Sequence, residues 1–297
     1  MPELPEIETI VEDLKTKISG HKILEVDSDW QKLIKEPDYN KFKKEIQGLI
    51  IERIERKGKN IIIILTRNKA LAIHLKMTGH PLVSTCWEFT KGRLKKKDLE
   101  ECKERDAIEE DPQNRFVHVG FTLDKGKSFL LSDVRKFATI RLVDKNRLPE
   151  LFKDLGPDAL DPNFTFERFS EILKNKKGDI KKVLMDQSVI AGIGNIYSDE
   201  ILFEAKIHPQ KPVKSLTSLE MKKIYDSMKK ILKEAIRKRG TSISDFRDTA
   251  GKKGSYGNVR RVYRKEGEPC PKKCGGIVKR ITIGGRSAHF CPNCQTL

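Results

Sequence analysis

The chain has 297 residues, enough for about two domains. Lys and Arg total 60 against 43 Asp and Glu, a formal charge of +17, and 37% of residues are hydrophobic. This composition argues against a membrane-embedded protein, a secreted disulfide scaffold and a fully disordered chain, and its charge points to an anionic partner, most simply nucleic acid.

The longest unbroken apolar run, Ile61–Leu65, is far short of a membrane span, and the acidic, amphipathic first thirty residues do not resemble a signal peptide. A cytoplasmic location is therefore expected. The charge is uneven: residues 252–286 carry net +9, whereas residues 1–20 carry net −3. Phosphate neutralisation is expected of the C-terminal third, and the acidic start needs another explanation.

Met1–Ser19 has the pattern of a helix, with Pro5 suited to its first turn, Glu6 and Glu8 at its positive end, and Ile7, Ile10, Val11, Leu14 and Ile18 on one face. Strand signals follow at Ile61–Leu65, Ala70–Leu75, Phe116–Leu123, Ser128–Ser132 and Thr139–Val143, suggesting an antiparallel sandwich or barrel. Residues 88–115 are dense in both charges and poor in apolar residues, so a solvated insertion is expected there. These elements give an N-terminal domain over 1–148. Residues 149–163, with Leu-Gly-Pro-Asp and Asp-Pro, form a linker. Residues 164–266 are mostly helical, near 165–174, 180–187, 195–205 and 217–239, and Gly- and Lys-rich 240–262 is expected to be a mobile loop. Residues 267–297 form a separate small module.

That module contains Cys270, Cys274, Cys291 and Cys294, spaced C-x3-C-x16-C-x2-C, with two strands joined at Gly284-Gly285 between the pairs. Two thiolate pairs on turns can surround one structural zinc ion, and so small a piece has too little core to fold without it. The alternative is two disulfides, which a cytosolic chain disfavours. Cys86 and Cys102 lack partners of this kind and are expected to be free thiols. The hairpin tip would raise Arg286, flanked by Lys279 and Arg280, toward a phosphate; an incidental surface arginine is the plainer reading.

Two further stretches stand out. In Asp186-Gln-Ser-Val-Ile-Ala-Gly-Ile-Gly-Asn-Ile-Tyr197, a glycine turn leads into a helix at Asn195, where backbone N–H groups and the helix dipole favour phosphate. At the start, Met1 precedes Pro2-Glu3-Leu4-Pro5-Glu6. Loss of Met1 would expose the secondary amine of Pro2, and an α-amino group is partly unprotonated at neutral pH. Such an amine can attack an electrophilic carbon to give an iminium ion, with Glu3 nearby to deliver a proton. Taken alone, the same residues are also an ordinary acidic helix start.

The ordered set Pro2-Glu-Leu-Pro-Glu-Ile-Glu8, Lys57-Gly-Lys59, Ile73-His-Leu-Lys-Met77-Thr-Gly79, Ser132-Asp-Val-Arg135-Lys-Phe137, the glycine turn and the four-cysteine finger resembles the formamidopyrimidine-DNA glycosylase family of bacterial type, which includes the endonuclease VIII branch. The resemblance covers nearly the whole chain except about 85–115. It implies an α+β multidomain fold: an N-terminal helix plus β-sandwich, a helix–two-turn–helix domain and a C-terminal zinc-finger hairpin, with DNA in the cleft between. It implies a monomeric base-excision-repair enzyme, in the cytoplasm with the nucleoid. Its partner would be double-stranded DNA with oxidised bases or abasic sites.

By the same resemblance, Pro2 is the nucleophile at C1′, Glu3 the acid that protonates the opening sugar, and Glu6 a second carboxylate that orders the site. Lys59, rather than Lys57, is the active-site lysine. Met77, Arg135 and Phe137 fill the gap left by the flipped nucleotide, although their types alone would make Met77 and Phe137 ordinary core residues. Asn195 and Arg286 bind phosphate. Ser188 stands where many members carry lysine. Arg135, Phe137 and a stretch at 248–258 resembling the loop over a flipped purine favour oxidised purines such as 8-oxoguanine and formamidopyrimidines. The alternatives are endonuclease VIII-like excision of oxidised pyrimidines, or a non-catalytic DNA-binding protein of the same fold.

Overall fold

The computed structural model describes residues 1–297 except 104–105 and 243–245. In chain order the elements are α1 (Leu4–Ile18), β1 (Ile23–Ser28), β2 (Ile34–Glu36), α2 (Tyr39–Ile46), β3 (Ile51–Lys57), β4 (Asn60–Leu65), β5 (Lys69–His74), β6 (His80–Ser84), β7 (Trp87–Thr90) and β8 (Arg93–Lys96). There follow α3 (Ala107–Glu110), β9 (Val117–Leu123), β10 (Ser128–Ser132), β11 (Thr139–Asp144), α4 (Leu148–Leu151), α5 (Phe166–Lys174), α6 (Ile180–Met185), α7 (Asn195–Ala205), α8 (Ser218–Arg237), β12 (Lys279–Ile283) and β13 (Arg286–Phe290). No described helix is long and apolar enough to cross a membrane.

The chain divides into two compact units. One comprises Met1–Lys153 with Lys238–Ser255, the other Asp154–Arg237 with Tyr256–Leu297. The finger hairpin thus belongs with the helices. Lys238–Ser255, expected within a mobile loop of the helical domain, belongs with the first unit.

In the first unit, a four-stranded sheet (β1-β9-β10-β6) and a five-stranded sheet (β2-β11-β5-β4-β3) share one core. Alternate side chains enter it: Ile61, Ile63 and Leu65 from β4, Phe121 and Leu123 from β9, and Phe129 and Leu131 from β10. The apolar stripe of α1 packs there too. The unbroken run in β4 has its own reason. Its other face, Ile62 and Ile64, is covered by Leu148, Leu151 and Phe152, so the strand is buried on both sides.

The insertion differs from the sequence expectation. It is no solvated excursion: Phe89 and Ile108 cover Leu82, Val117 and Leu130 on the outer face of the four-stranded sheet. The β7–β8 hairpin supplies Phe89, and Asp106 caps α3 while accepting the Trp87 indole N–H at 2.8 Å. Its abundant charges hid these few apolar anchors. Cys86 and Cys102, expected as free thiols, form a disulfide across 16 residues because the hairpin returns the chain to its own start. Cys102→Ala should therefore destabilise the oxidised protein by about 2–3 kcal/mol and lower its unfolding midpoint by several degrees in calorimetry. Reductant should bring the wild type to the variant's midpoint. Identical midpoints in all cases would show that the apolar anchors alone hold the insertion.

Candidate active site and DNA interface

The N-terminal helix begins in a reciprocal cap. Glu6 accepts the Glu3 N–H at 2.8 Å, and the Glu3 side chain takes the Glu6 N–H. Pro2, Glu3 and Glu6 are all buried, Glu3 2% and Glu6 1% exposed. The second Glu6 oxygen accepts the Thr241 N–H at 2.6 Å. Gly240 lies so close, with φ +75°, that a Cβ there would sit 2.8 Å from Glu6 Cγ. The segment 238–255 is thus fastened directly to the start of α1.

The β3–β4 turn is tied to the same helix. Arg56 pairs with Glu8 of α1 and donates to the Gly58 carbonyl at 3.0 Å. That bond holds the turn carrying Lys57-Gly58-Lys59. Within it Lys57 is exposed and Lys59 buried, only 6% exposed. Burial pushes His74 down to about 4, with Lys76 and Lys59 adding to the shift, so His74 is neutral beside these amines.

Met77, Arg135 and Phe137 form one cluster. The Arg135 guanidinium donates to Met77 Sδ at 3.0 Å and lies 4.7 Å from the Phe137 ring centre. Met77 is 40% and Phe137 49% exposed, so neither is the core residue its type alone suggests. The loop beneath them is built on Asp133, fully buried, which accepts the Phe137 and Ala138 N–H groups at 2.7 Å each and the Thr78 hydroxyl. Lys136 adopts φ 56° here, and its amine sits 4.5 Å from the Trp30 ring centre. This backbone turn lifts Arg135 and Phe137 outward together.

In the second unit, α6 and α7 are joined by the glycine turn. Gln187 holds it: its amide donates to Met185 O at 2.8 Å and Ile193 O at 2.7 Å and accepts the Gly192 N–H at 3.0 Å. Helix α7 starts at Asn195 after Gly194, which has no side chain to cap it. The Asn195 Oδ1 is buried without a hydrogen-bond partner. Ser188, exposed, turns back onto Asp186 at 2.7 Å. The β12–β13 hairpin raises Arg286 at its exposed tip, and Gly284 lies near Lys182 of α6. Buried Lys181 and Asp199 pair, Lys181 donates to the Ser287 carbonyl, and Asp199 accepts the His289 N–H, binding the hairpin to α6 and α7.

The sulfurs of Cys270, Cys274, Cys291 and Cys294 all lie within 4.8 Å of one another, with pairs at 3.8 and 3.5 Å. A tetrahedral ion with Zn–S bonds of about 2.3 Å would set its sulfurs about 3.8 Å apart, so the four thiols fit one zinc.

Three family models match in order: the formamidopyrimidine-DNA glycosylase N-terminal domain over residues 1–140, its H2TH domain over 155–247, and the zinc finger found in FPG and IleRS over 267–297. The chain belongs to the formamidopyrimidine-DNA glycosylase family. It is 37% identical to the formamidopyrimidine-DNA glycosylase of Pelotomaculum thermopropionicum and 35% identical to that of Streptococcus pneumoniae, in each case over 99% of both chains. Among solved structures it resembles the Lactococcus lactis enzyme in complex with abasic-site DNA, with a TM-score of 0.83 and 32% identity over 99% of this chain and 100% of that one. It has the same TM-score and identity, over the full length of both chains, to MutM in complex with DNA containing carbocyclic 8-oxo-G.

The glycosylase fold thus agrees with the architecture expected from the sequence, and the finger's four cysteines make a structural zinc site. The structure adds residues that the sequence did not single out. Asp133 and Thr78 sit inside quoted motifs, but only the fold shows that they carry the loop. Gln187, equally, was visible only as part of a motif.

Two outcomes check this geometry. Asp133→Ala should strip the Thr78 hydroxyl and the Arg135, Phe137 and Ala138 N–H groups of this acceptor, cost about 2–4 kcal/mol in denaturant unfolding and weaken binding to lesion DNA. Unchanged stability would show the loop holds itself. Cys291→Ser should remove the single zinc, read by elemental analysis, and reduce duplex affinity at least about tenfold. Full affinity without zinc would make the finger dispensable.

Proposed function

We propose that the protein excises oxidised purines from duplex DNA and cleaves the resulting abasic site, using Pro2 as an amine nucleophile. Family membership makes it a DNA glycosylase of base excision repair. The observation that carries the finer reading is that buried Pro2 directly precedes the reciprocal Glu3–Glu6 cap, which fixes a carboxylate beside it at the start of α1.

Once Met1 is removed, the Pro2 nitrogen can attack C1′ while the C1′–N bond to the base breaks; the base leaves with the bonding pair and takes up the proton that the Pro2 nitrogen gives up. Glu3 then protonates the ring oxygen as the C1′–O bond opens, leaving an iminium ion on Pro2. The iminium withdraws electrons from C2′, whose proton is lost as the 3′ phosphate departs; the second phosphate follows by δ-elimination. Lys59, held beside α1 by the Arg56 bond, supplies a cation for a phosphate next to the lesion. Met77 and Phe137 replace stacking in the emptied duplex, and Arg135 bonds the orphaned base. Asn195 and Arg286 bind backbone phosphate from the second unit. Exposed Arg135 and Phe137 together support oxidised purines over pyrimidines.

Borohydride should trap a covalent complex between protein lacking Met1 and abasic-site duplex, and mass spectrometry should place it on Pro2. Glu3→Gln should slow 8-oxoguanine release at least about 100-fold in single turnover, with duplex affinity nearly unchanged. An absent adduct would refute the enzyme mechanism, and faster release of thymine glycol than of 8-oxoguanine would reverse the lesion class.

A further inference from the structure

The insertion reaches the segment that closes over Glu6. Residues 246–254 are fastened on one side to α1 and β6: Asp13 accepts the Thr249 hydroxyl at 2.9 Å, Lys17 donates to Thr249 at 2.7 Å, Arg239 bridges Asp13 at 2.6 Å and Asp248 at 2.7 Å, and the Thr249 carbonyl accepts the Val83 N–H at 2.9 Å. On the other side they meet the insertion. Arg247, only 3% exposed, donates to Asp111 at 2.5 Å. Asn114, fully buried, donates to Gly251 O at 3.2 Å and Ala107 O at 2.6 Å, while its oxygen faces His80 Nε2 at 2.9 Å. Gly251 has φ +75° and approaches so closely that a Cβ would lie 2.5 Å from the Asn114 amide.

Between Asp106–Pro112 and Ala250–Lys253 the two elements enclose an open cavity of about 840 Å3 instead of packing continuously. The Arg247–Asp111 pair and the Asn114 bonds bridge the two elements beside this cavity. Burial would raise the Asp111 carboxyl, but Arg247 and the Gln113 N–H outweigh it and keep it below the usual carboxylate range. Burial also pushes His80 down to about 4, so its ring is neutral, and facing the Asn114 oxygen its Nε2 carries the proton.

We propose that Asp111 and Asn114 of the insertion are positioning residues for base excision, acting through Arg247 and Gly251 to hold segment 246–254 in place. The proposal rests on the oxidised-purine reading above, which the resemblance of residues 248–258 to the loop over a flipped purine supports. An abasic site has no base to hold, so the effect falls on excision and spares strand cleavage at a preformed abasic site.

Asp111→Asn keeps the shape and removes the charge; Asp111→Glu keeps the charge. In the full-length protein, Asp111→Asn should speed hydrogen exchange at the amides of 248–252. It should also slow single-turnover 8-oxoguanine release about tenfold, leave abasic-site cleavage within about twofold, and be largely rescued in Asp111→Glu. Asn114→Ala should act in the same direction. Unchanged exchange overturns the proposal whatever base the enzyme prefers, because that measurement needs no lesion. Faster exchange with unchanged excision overturns the functional link, and an equal loss on both substrates reduces the insertion to general stability. A wild type that cleaves abasic DNA but releases no 8-oxoguanine refutes the lesion class instead, and leaves the exchange result standing.

Discussion

The first unit turns on one buried carboxylate. Glu6 accepts a backbone N–H from Glu3 and another from Thr241, 235 residues away. A carboxylate out of water costs several kcal/mol unless its oxygens are satisfied. Here two amide donors and the positive end of α1 satisfy them. Both bonds converge on the one side chain, so the N-terminus and residues 240–241 are tied to each other through it. Glu3 inherits its position from this bond, and so does the nitrogen beside it.

The device recurs. Glu6, Asp133, Asp199 and Glu200 are each at most 1% exposed, and all four accept backbone N–H groups. Asp133 builds the turn that presents Arg135 and Phe137. Asp199 and Glu200, adjacent on α7, seize the hairpin and residues 261–263 respectively. In a chain of net charge +17, acids do much of the internal fastening. The field a polyanion meets is then set largely by the basic side chains left outside.

The sequence made much of this legible because its signals were periodic or punctuated. The stripe Ile7, Ile10, Val11, Leu14 marked α1 to within a few residues, and glycine pairs marked the finger hairpin and the α6–α7 turn. Strands with mixed faces, such as β1 and β3, and helix α2 escaped because their polar positions mask the alternation. The insertion escaped for a different reason. Its fold rests on Phe89, Ile108 and one disulfide, three local features among many charges, and pairing of Cys86 with Cys102 depends on a hairpin that no short-range pattern announces. Segment 238–255 was misplaced because sequence proximity to α8 says nothing about Glu6. Lys59 is buried and Lys57 exposed, a difference that their spacing alone does not show.

The discontinuity of the first unit has a consequence for how the chain is made. Phe246 enters the core of the sandwich, and Thr241 completes the environment of Glu6, yet both follow the whole of α5–α8 in the chain. During synthesis from the N-terminus, the sandwich therefore waits for most of the molecule before its last contacts can close. These are pairings of very high sequence separation, the kind that forms late and slowly. The order of assembly is then helices before the completed first unit, although residues 1–153 leave the ribosome before the helices do.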